Sequence, residues 1–103
     1  MGPRKVAKFF LKLNGLFLFF INSQTEELCE MAVRQNGMAL MFVKTQTEKI
    51  CKIAVTQNGM ALKYVKTQTE EICLRAMMQT NNCHKFLNFG GKDSYFNMVR
   101  ESG

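Results

Sequence analysis

Apolar and polar positions recur along this chain with a period of 22 residues. In the segment 45–66, the sequence Thr-Gln-Thr-Glu precedes a run whose apolar residues fall on one face of a helix. Thr45 or Thr47 is the expected N-cap, and in either case Glu48 lies at the positive end of the helix dipole. An Asn-Gly step is expected to end the helix, with Gly59 at a positive φ. A second, shorter helix is predicted after this step.

Copies of this unit lie on both sides of it. The copy one period earlier is close, whereas the copy one period later has Thr80-Asn81 in place of Asn-Gly. The N-terminal segment fits the same register, with an apolar inward set and a charged outward set. The inward residues are Val6, Ala7, Phe10 and Leu11. The outward residues, with their counterparts in the next copy, are Lys5, Lys8, Lys12, Glu27, Glu30 and Arg34. A signal peptide would not keep this register, and the apolar run is too short to span a membrane.

The repeats predict an all-α fold, a short α-solenoid of 22-residue helix–turn–helix repeats with degenerate terminal units. The expected organisation is a degenerate first repeat with a basic N-terminus (1–22), three repeats of which the last has decayed (23–88), and a C-terminal tail or cap (89–103). A leucine-rich horseshoe is the rival interpretation, but its L-x-x-L-x-L pattern is absent. The Asn-Gly steps are also compatible with hairpin turns, although the residues before them alternate poorly.

The cysteines follow the repeat as well. Cys29, Cys51 and Cys73 are one period apart and lie in the apolar arc, which favours buried, reduced thiols over disulfides or zinc ligands. Cys83, in the decayed turn, is expected to be the most reactive of the four. This pattern places the protein in a reducing compartment, the host cytoplasm or a virion, and not among secreted proteins.

No set of residues points to catalysis, a metal or a cofactor. His84 has no triad partner, and the column formed by Glu26, Glu48 and Glu70 is explained by helix capping. The column of Gln35 and its counterparts is expected to bind helix-end carbonyls or a neighbouring repeat. We therefore expect a protein that is not an enzyme.

The repeat unit resembles a family of tandem repeats of unknown function that is abundant in giant viruses of amoebae and in some bacteria. The resemblance is close from Ser23 to Lys66. The residues that carry the resemblance are Gln57, Asn58, Gly59, Ala61, Leu62, Tyr64 and Val65. Most of their counterparts one period earlier carry it as well. It implies a helical repeat and a viral origin, and it implies no catalytic residue.

Charge and apolar surface suggest partners. The chain has 14 Lys and Arg against 8 Asp and Glu, a net charge of +6, so anionic partners are favoured. The leading hypothesis is a structural or protein–protein interaction module that binds other subunits, virion proteins or itself. The alternative is a basic protein that binds nucleic acid without sequence specificity. The candidate partner-binding residues are Lys5, Lys8, Lys12, Met41, Leu74 and Met78. Leu74 and Met78 are four residues apart on one predicted helix face, and in a competing interpretation the C-terminal tail covers them instead of a partner. The tail residues that would do so are Phe89, Tyr95, Phe96, Met98 and Val99.

Overall fold

The computed structural model describes the backbone of residues 3–88 and the side chains of residues 5–88. It contains four consecutive units, each an α-helix followed by a 3₁₀ helix (η). The α-helices are α1 (Pro3–Leu13), α2 (Glu26–Gln35), α3 (Glu48–Gln57) and α4 (Glu70–Gln79). The 3₁₀ helices are η1 (Gly15–Phe20), η2 (Gly37–Phe42), η3 (Gly59–Tyr64) and η4 (Asn81–Phe86). No strand occurs within residues 3–88, so the horseshoe and hairpin interpretations are excluded for this part.

A threonine begins each of the last three α-helices. The hydroxyl of Thr47 accepts a hydrogen bond from the backbone N–H of Ile50 at 3.1 Å, and Thr25 and Thr69 cap α2 and α4 in the same way. An acidic residue follows each cap, where the helix dipole favours negative charge. Of the two N-caps considered from the sequence, the structure therefore has Thr47.

The Asn-Gly steps end the α-helices as predicted, but the predicted glycine conformation is wrong. Asn58 has an extended backbone, with φ −151°, and its side chain accepts from Met60 N at 3.0 Å to begin η3. Gly59 does not have a positive φ. Glycine is required there because a Cβ would lie 2.5 Å from the carbonyl oxygen of Ala76 in the next unit. The step is therefore a site of close approach between units and not a left-handed turn.

The predicted second helix is present, in the tighter 3₁₀ form. It has six residues between the Asn cap and the following linker, and its last bond in η2 runs from Val43 N to Leu40 O at 3.1 Å. The 3₁₀ form is used mostly in short pieces of three or four residues, so six residues is long for this type of helix. Ala39 and Leu40 are buried, so η2 presents an apolar side to the rest of its unit.

The units stack into a rod of 52 × 20 × 17 Å. The α-helices contact one another in chain order and form one layer, while the 3₁₀ helices do the same and form a second layer. Between the layers lie buried side chains at equivalent positions of successive units: Leu11, Val33 and Val55, then Leu18, Leu40 and Leu62. The predicted all-α solenoid is confirmed. None of the described helices is long and apolar enough to cross a membrane. The predicted tail or cap, 89–103, lies outside the described residues.

Candidate interaction surfaces

A glutamine in each linker joins one unit to the next. The side chain of Gln46 donates to the carbonyl of Tyr64 at 2.7 Å and accepts from the N–H of Lys66 at 3.0 Å. Gln24 and Gln68 make the same pair of bonds one unit earlier and one unit later. Each amide therefore satisfies a donor and an acceptor that the end of the next 3₁₀ helix leaves free.

The cysteine column is part of this linker network. The thiol of Cys51 donates to Oε1 of Gln46 at 3.4 Å, and Cys29 and Cys73 do the same in their units. All three are free thiols and buried, as predicted. Burial raises the pKa of Cys51 and of Cys73 to about 11, and it also raises the pKa of Cys29. These thiols stay protonated at neutral pH, which makes them poor nucleophiles.

The prediction for Cys83 is wrong. Its side chain is fully buried, its thiol donates to Thr80 O at 3.1 Å, and burial raises its pKa. The physical reason is its register, because Cys83 lies in η4 at the position that Ala61 occupies in η3. That position faces the core in both units, so the altered turn before it does not expose the thiol.

A second glutamine column explains the Asn-Gly steps. Gln57 ends α3, and its Oε1 accepts from the N–H of Gly37 in the preceding unit at 2.5 Å. Gln79 does the same for Gly59 at 2.6 Å, and Gln35 for Gly15 at 3.2 Å. Of the two partners expected from the sequence, all three glutamines bind the neighbouring repeat, and Gln35 also donates to a helix-end carbonyl, that of Lys12, at 3.5 Å.

A series of ion pairs, here called the ion-pair ladder, joins successive helices of the α layer. The residue that the earlier helix contributes is basic, then acidic, then basic. The pairs between units are Lys8–Glu27 at 2.9 Å, Glu30–Lys49 at 3.2 Å and Lys52–Glu71 at 2.7 Å. Hydrogen bonds from Lys52 and then Arg75 lower the pKa of Glu71. The side chains of Glu30 and Lys52 are only 13% and 26% exposed, so their predicted outward position is wrong. They lie between adjacent α-helices.

The predicted apolar site does not form one surface. Leu74 occupies the position in α4 that Lys8, Glu30 and Lys52 occupy in the three earlier α-helices. Its side chain is half-buried and packs against the core. Its predicted outward orientation is therefore wrong. Met78 is 86% exposed on α4, whereas Met41 is half-exposed on η2, in the other layer and two units away. The predicted cover by residues of the tail lies outside the described residues.

Among the described residues, the first unit carries most of the large exposed apolar side chains. Val6 and Phe10, expected to face inward, are 41% and 42% exposed, while Leu11 is fully buried. The equivalent residues of later units are buried because a preceding unit covers them, and no described unit precedes α1. On the same helix Lys5 and Lys12 are exposed, and Lys8 is paired with Glu27. The exposed Phe residues of this unit were not among the predicted site residues.

The polar side chains of the described part are well satisfied. No buried side-chain nitrogen or oxygen there is without a hydrogen-bond partner, and no group of three or more His, Cys, Asp or Glu could hold a metal ion. Nδ1 of His84 lies 2.9 Å from the carbonyl of Asn81.

Comparison with known proteins adds one finding. Residues 25–68 match the family model "Domain of unknown function (DUF4116)". The DUF4116 match covers two consecutive units, from the cap Thr25 to the linker residue Gln68. Together with the repeated helical arrangement, it fits a helical repeat family of unknown function. No curated protein and no solved structure matches the chain significantly.

Proposed function

We propose that this protein is a non-enzymatic repeat module that binds other protein subunits. One observation carries the proposal. The polar side chains that recur at equivalent positions of successive units, and that could otherwise be candidates for catalysis, join one unit to the next. The linker glutamines bind backbone groups, the thiols of Cys29, Cys51 and Cys73 donate to those glutamines, and the α-layer charges form ion pairs. Side chains held in this way build a rigid scaffold, which is how solenoid proteins present binding surfaces.

Met41 and Met78 are the residues we propose for the protein partner. Met78 stands at a position that is polar in the three preceding units, where Thr56 is its nearest counterpart, and Met41 stands between the exposed Phe19 of the first unit and Lys63 of the third. Methionine is one of the residue types in which protein interfaces are enriched. The two residues lie in different layers, so the partner would contact two faces of the rod, or two partner molecules would each contact one.

The test compares the wild type with a variant that carries the polar residue of an adjacent unit at each position, Met41→Lys and Met78→Thr. Both proteins are used to capture partners from the native source, followed by mass spectrometry. We expect the variant to lose the captured proteins at an unchanged unfolding temperature. Equal capture by the two proteins would contradict the proposed site, and capture of no protein by either would contradict the proposed function.

Nucleic-acid binding is the second candidate, supported by lysines that recur at one-unit spacing. Lys44 and Lys66 are exposed in successive linkers, and Lys63 and Lys85 are exposed on successive 3₁₀ helices. Such rows suit phosphate contacts without base readout. A steep, linear fall of log affinity for duplex DNA with log salt concentration would support this candidate. Binding that does not change with salt, or no binding at low salt, would exclude it.

The resemblance noted above supports a narrower proposal, a minor virion or host-interaction protein of a giant virus. The free, buried thiols of the described residues support a reducing location such as the host cytoplasm or the virion interior. Mass spectrometry of purified particles and of infected-cell cytosol tests both points. Recovery from the secreted fraction with oxidised cysteines would contradict them.

A further inference from the structure

A continuous row of phenyl rings covers the N-terminal end of the rod. Of the eight large apolar side chains that are exposed among the described residues, six belong to α1 and η1. The ring centroids lie 5.7 Å apart for Phe9–Phe10, 5.3 Å for Phe10–Phe17, 6.3 Å for Phe17–Phe20 and 5.2 Å for Phe19–Phe20. We call these five rings the aromatic edge. Apolar surface that is this contiguous marks an interaction site.

Another repeat cannot cover the aromatic edge in the geometry of this stack. Phe10 occupies the position of Ala32, and Phe17 that of Ala39, and these two alanines are fully buried. A preceding unit would need the volume that the two rings fill. At the opposite end Asn81 occupies the glycine position, where a Cβ would meet a backbone carbonyl of a following unit, as Gly59 shows. A second copy stacked head to tail is therefore excluded at both ends.

Charge selects among the remaining occupants. The buried side of α1 contains Ala7 and Leu11, and its exposed arc carries lysines beside apolar residues. Lys5 and Lys12 adjoin Phe9 on this arc, and neither α1 nor η1 contains an acidic residue. Two copies meeting through this edge would bring lysines of both α1 helices together, which is unfavourable. The edge therefore fits an anionic partner.

The groups on the edge also define what kind of anionic partner fits. It presents phenyl rings and flexible ammonium groups, and its exposed α1 side chains include no hydrogen-bond acceptor. Behind the rings, a mostly apolar groove of about 810 Å³ lies between Val6, Phe10, Phe17, Ile21 and Leu28, with the polar side chains of Asn22, Ser23 and Thr25 along one part of its lining. Negative charge immediately above a fluid apolar layer is the chemistry of an anionic bilayer surface.

We propose that the aromatic edge and the lysines of α1 bind the surface of an anionic lipid bilayer. Phe9, Phe19 and Phe20 enter the boundary between headgroups and acyl chains, and Lys5 and Lys12 contact headgroup anions. α1 has 11 residues, so it lies on the bilayer and does not cross it. This membrane contact goes beyond the protein-binding role proposed above and uses different residues.

Vesicle flotation with the full chain tests the proposal. The vesicles contain either phosphatidylcholine alone or equal parts of phosphatidylcholine and phosphatidylserine. We expect the wild type to partition onto the anionic vesicles at least about tenfold more strongly than onto the neutral ones. The Phe9→Gln, Phe19→Gln variant should lose about tenfold on anionic vesicles, and the Lys5→Gln, Lys12→Gln variant should lose a similar factor. The matched control, Met78→Gln, removes an exposed apolar side chain on α4, three units away, and should bind vesicles as the wild type does.

Three outcomes would overturn the proposal. One is no flotation of the wild type at low salt. Another is undiminished flotation of the Phe9→Gln, Phe19→Gln variant, since binding would then be simple adsorption of a basic protein. The third is loss of a captured protein by this variant when the wild type ignores vesicles, which would assign the edge to an acidic protein partner. Circular dichroism of each variant checks that the helices are retained.

Discussion

Replacing Gly59 with alanine tests the reason for the Asn-Gly steps. The backbone of Gly59 does not have a positive φ, so the added methyl group causes no conformational strain of its own. At such a position, Gly→Ala ordinarily stabilises a protein by about 0.4–1 kcal/mol, because it restricts the unfolded chain. Here the new Cβ would lie 2.5 Å from Ala76 O and 2.9 Å from Oε1 of Gln79. The steric conflict with the next unit therefore predicts the opposite sign.

The size of the effect follows from these contacts. The backbone of α4 must move away, and overpacking of this kind costs about 1–3 kcal/mol. The movement also lengthens the 2.6 Å hydrogen bond from Gly59 N to Gln79, at about 1 kcal/mol. After the gain from the unfolded state, we expect a net loss of about 1–3 kcal/mol. For a domain of this size that lowers the unfolding temperature by roughly 5–20 °C.

Thermal unfolding followed by circular dichroism is the assay. The matched control is Asn81→Ala, at the same position of the last unit, where the residue is exposed. It should change stability by less than about 0.5 kcal/mol. If Gly59→Ala unfolds at or above the wild-type temperature, the close approach between units is not what requires glycine, and the argument fails.

Three other predictions concern side chains that recur at equivalent positions of successive units. The pKa of Cys51 and of Cys73 rises from 9.0 to about 11 on folding, so the folded state keeps protons that the unfolded state loses. Urea midpoints should therefore be constant below pH 9 and fall as the pH rises toward 11, and Cys51→Ala should weaken this fall. Gln46→Leu leaves the part-buried carbonyl of Tyr64 without its side-chain partner, while water can reach the N–H of Lys66, and it should cost about 1–3 kcal/mol in urea denaturation, whereas an unchanged midpoint would refute the linker network. Leu74→Glu should destabilise by about 1–3 kcal/mol and Met78→Glu by less than about 0.5 kcal/mol, and equal effects would contradict their different burial.

The repeat was readable from the sequence because its period placed the same residue types at the same structural positions. Thr47 as a cap, Cys51 in the core and Asn58 at the helix end all follow from local rules of capping and amphipathicity. The burial of Cys83 was also predictable from the repeat, since the equivalent residue in η3 is the apolar Ala61. The altered turn before Cys83 suggested an exposed thiol, but the turn does not move this position out of the core.

Contacts between units were not predictable from one unit alone. The positive φ expected at Gly59 came from helices considered in isolation, whereas the real constraint is a carbonyl of the next unit. Glu30 and Lys52 were expected to face outward on a single helix. They lie between helices, where Glu30 pairs with Lys49 and Lys52 pairs with Glu71 of the next unit. Phe10 satisfied an apolar pattern, but which apolar positions stay exposed depends on whether a neighbouring unit covers them.

The stacking of units in solution is the central claim, and amide hydrogen exchange at Gly37 tests it most directly. The N–H of Gly37 donates to Gln57 of the next unit, so its protection reports contact between units rather than helix formation within one. We predict slow exchange of Gly37 in the wild type, together with selective loss of that protection in Gln57→Leu while Gly59 stays protected by Gln79. Fast exchange of Gly37 in the wild type, alongside protected amides in α3, would show helices that form without stacking and would contradict the account.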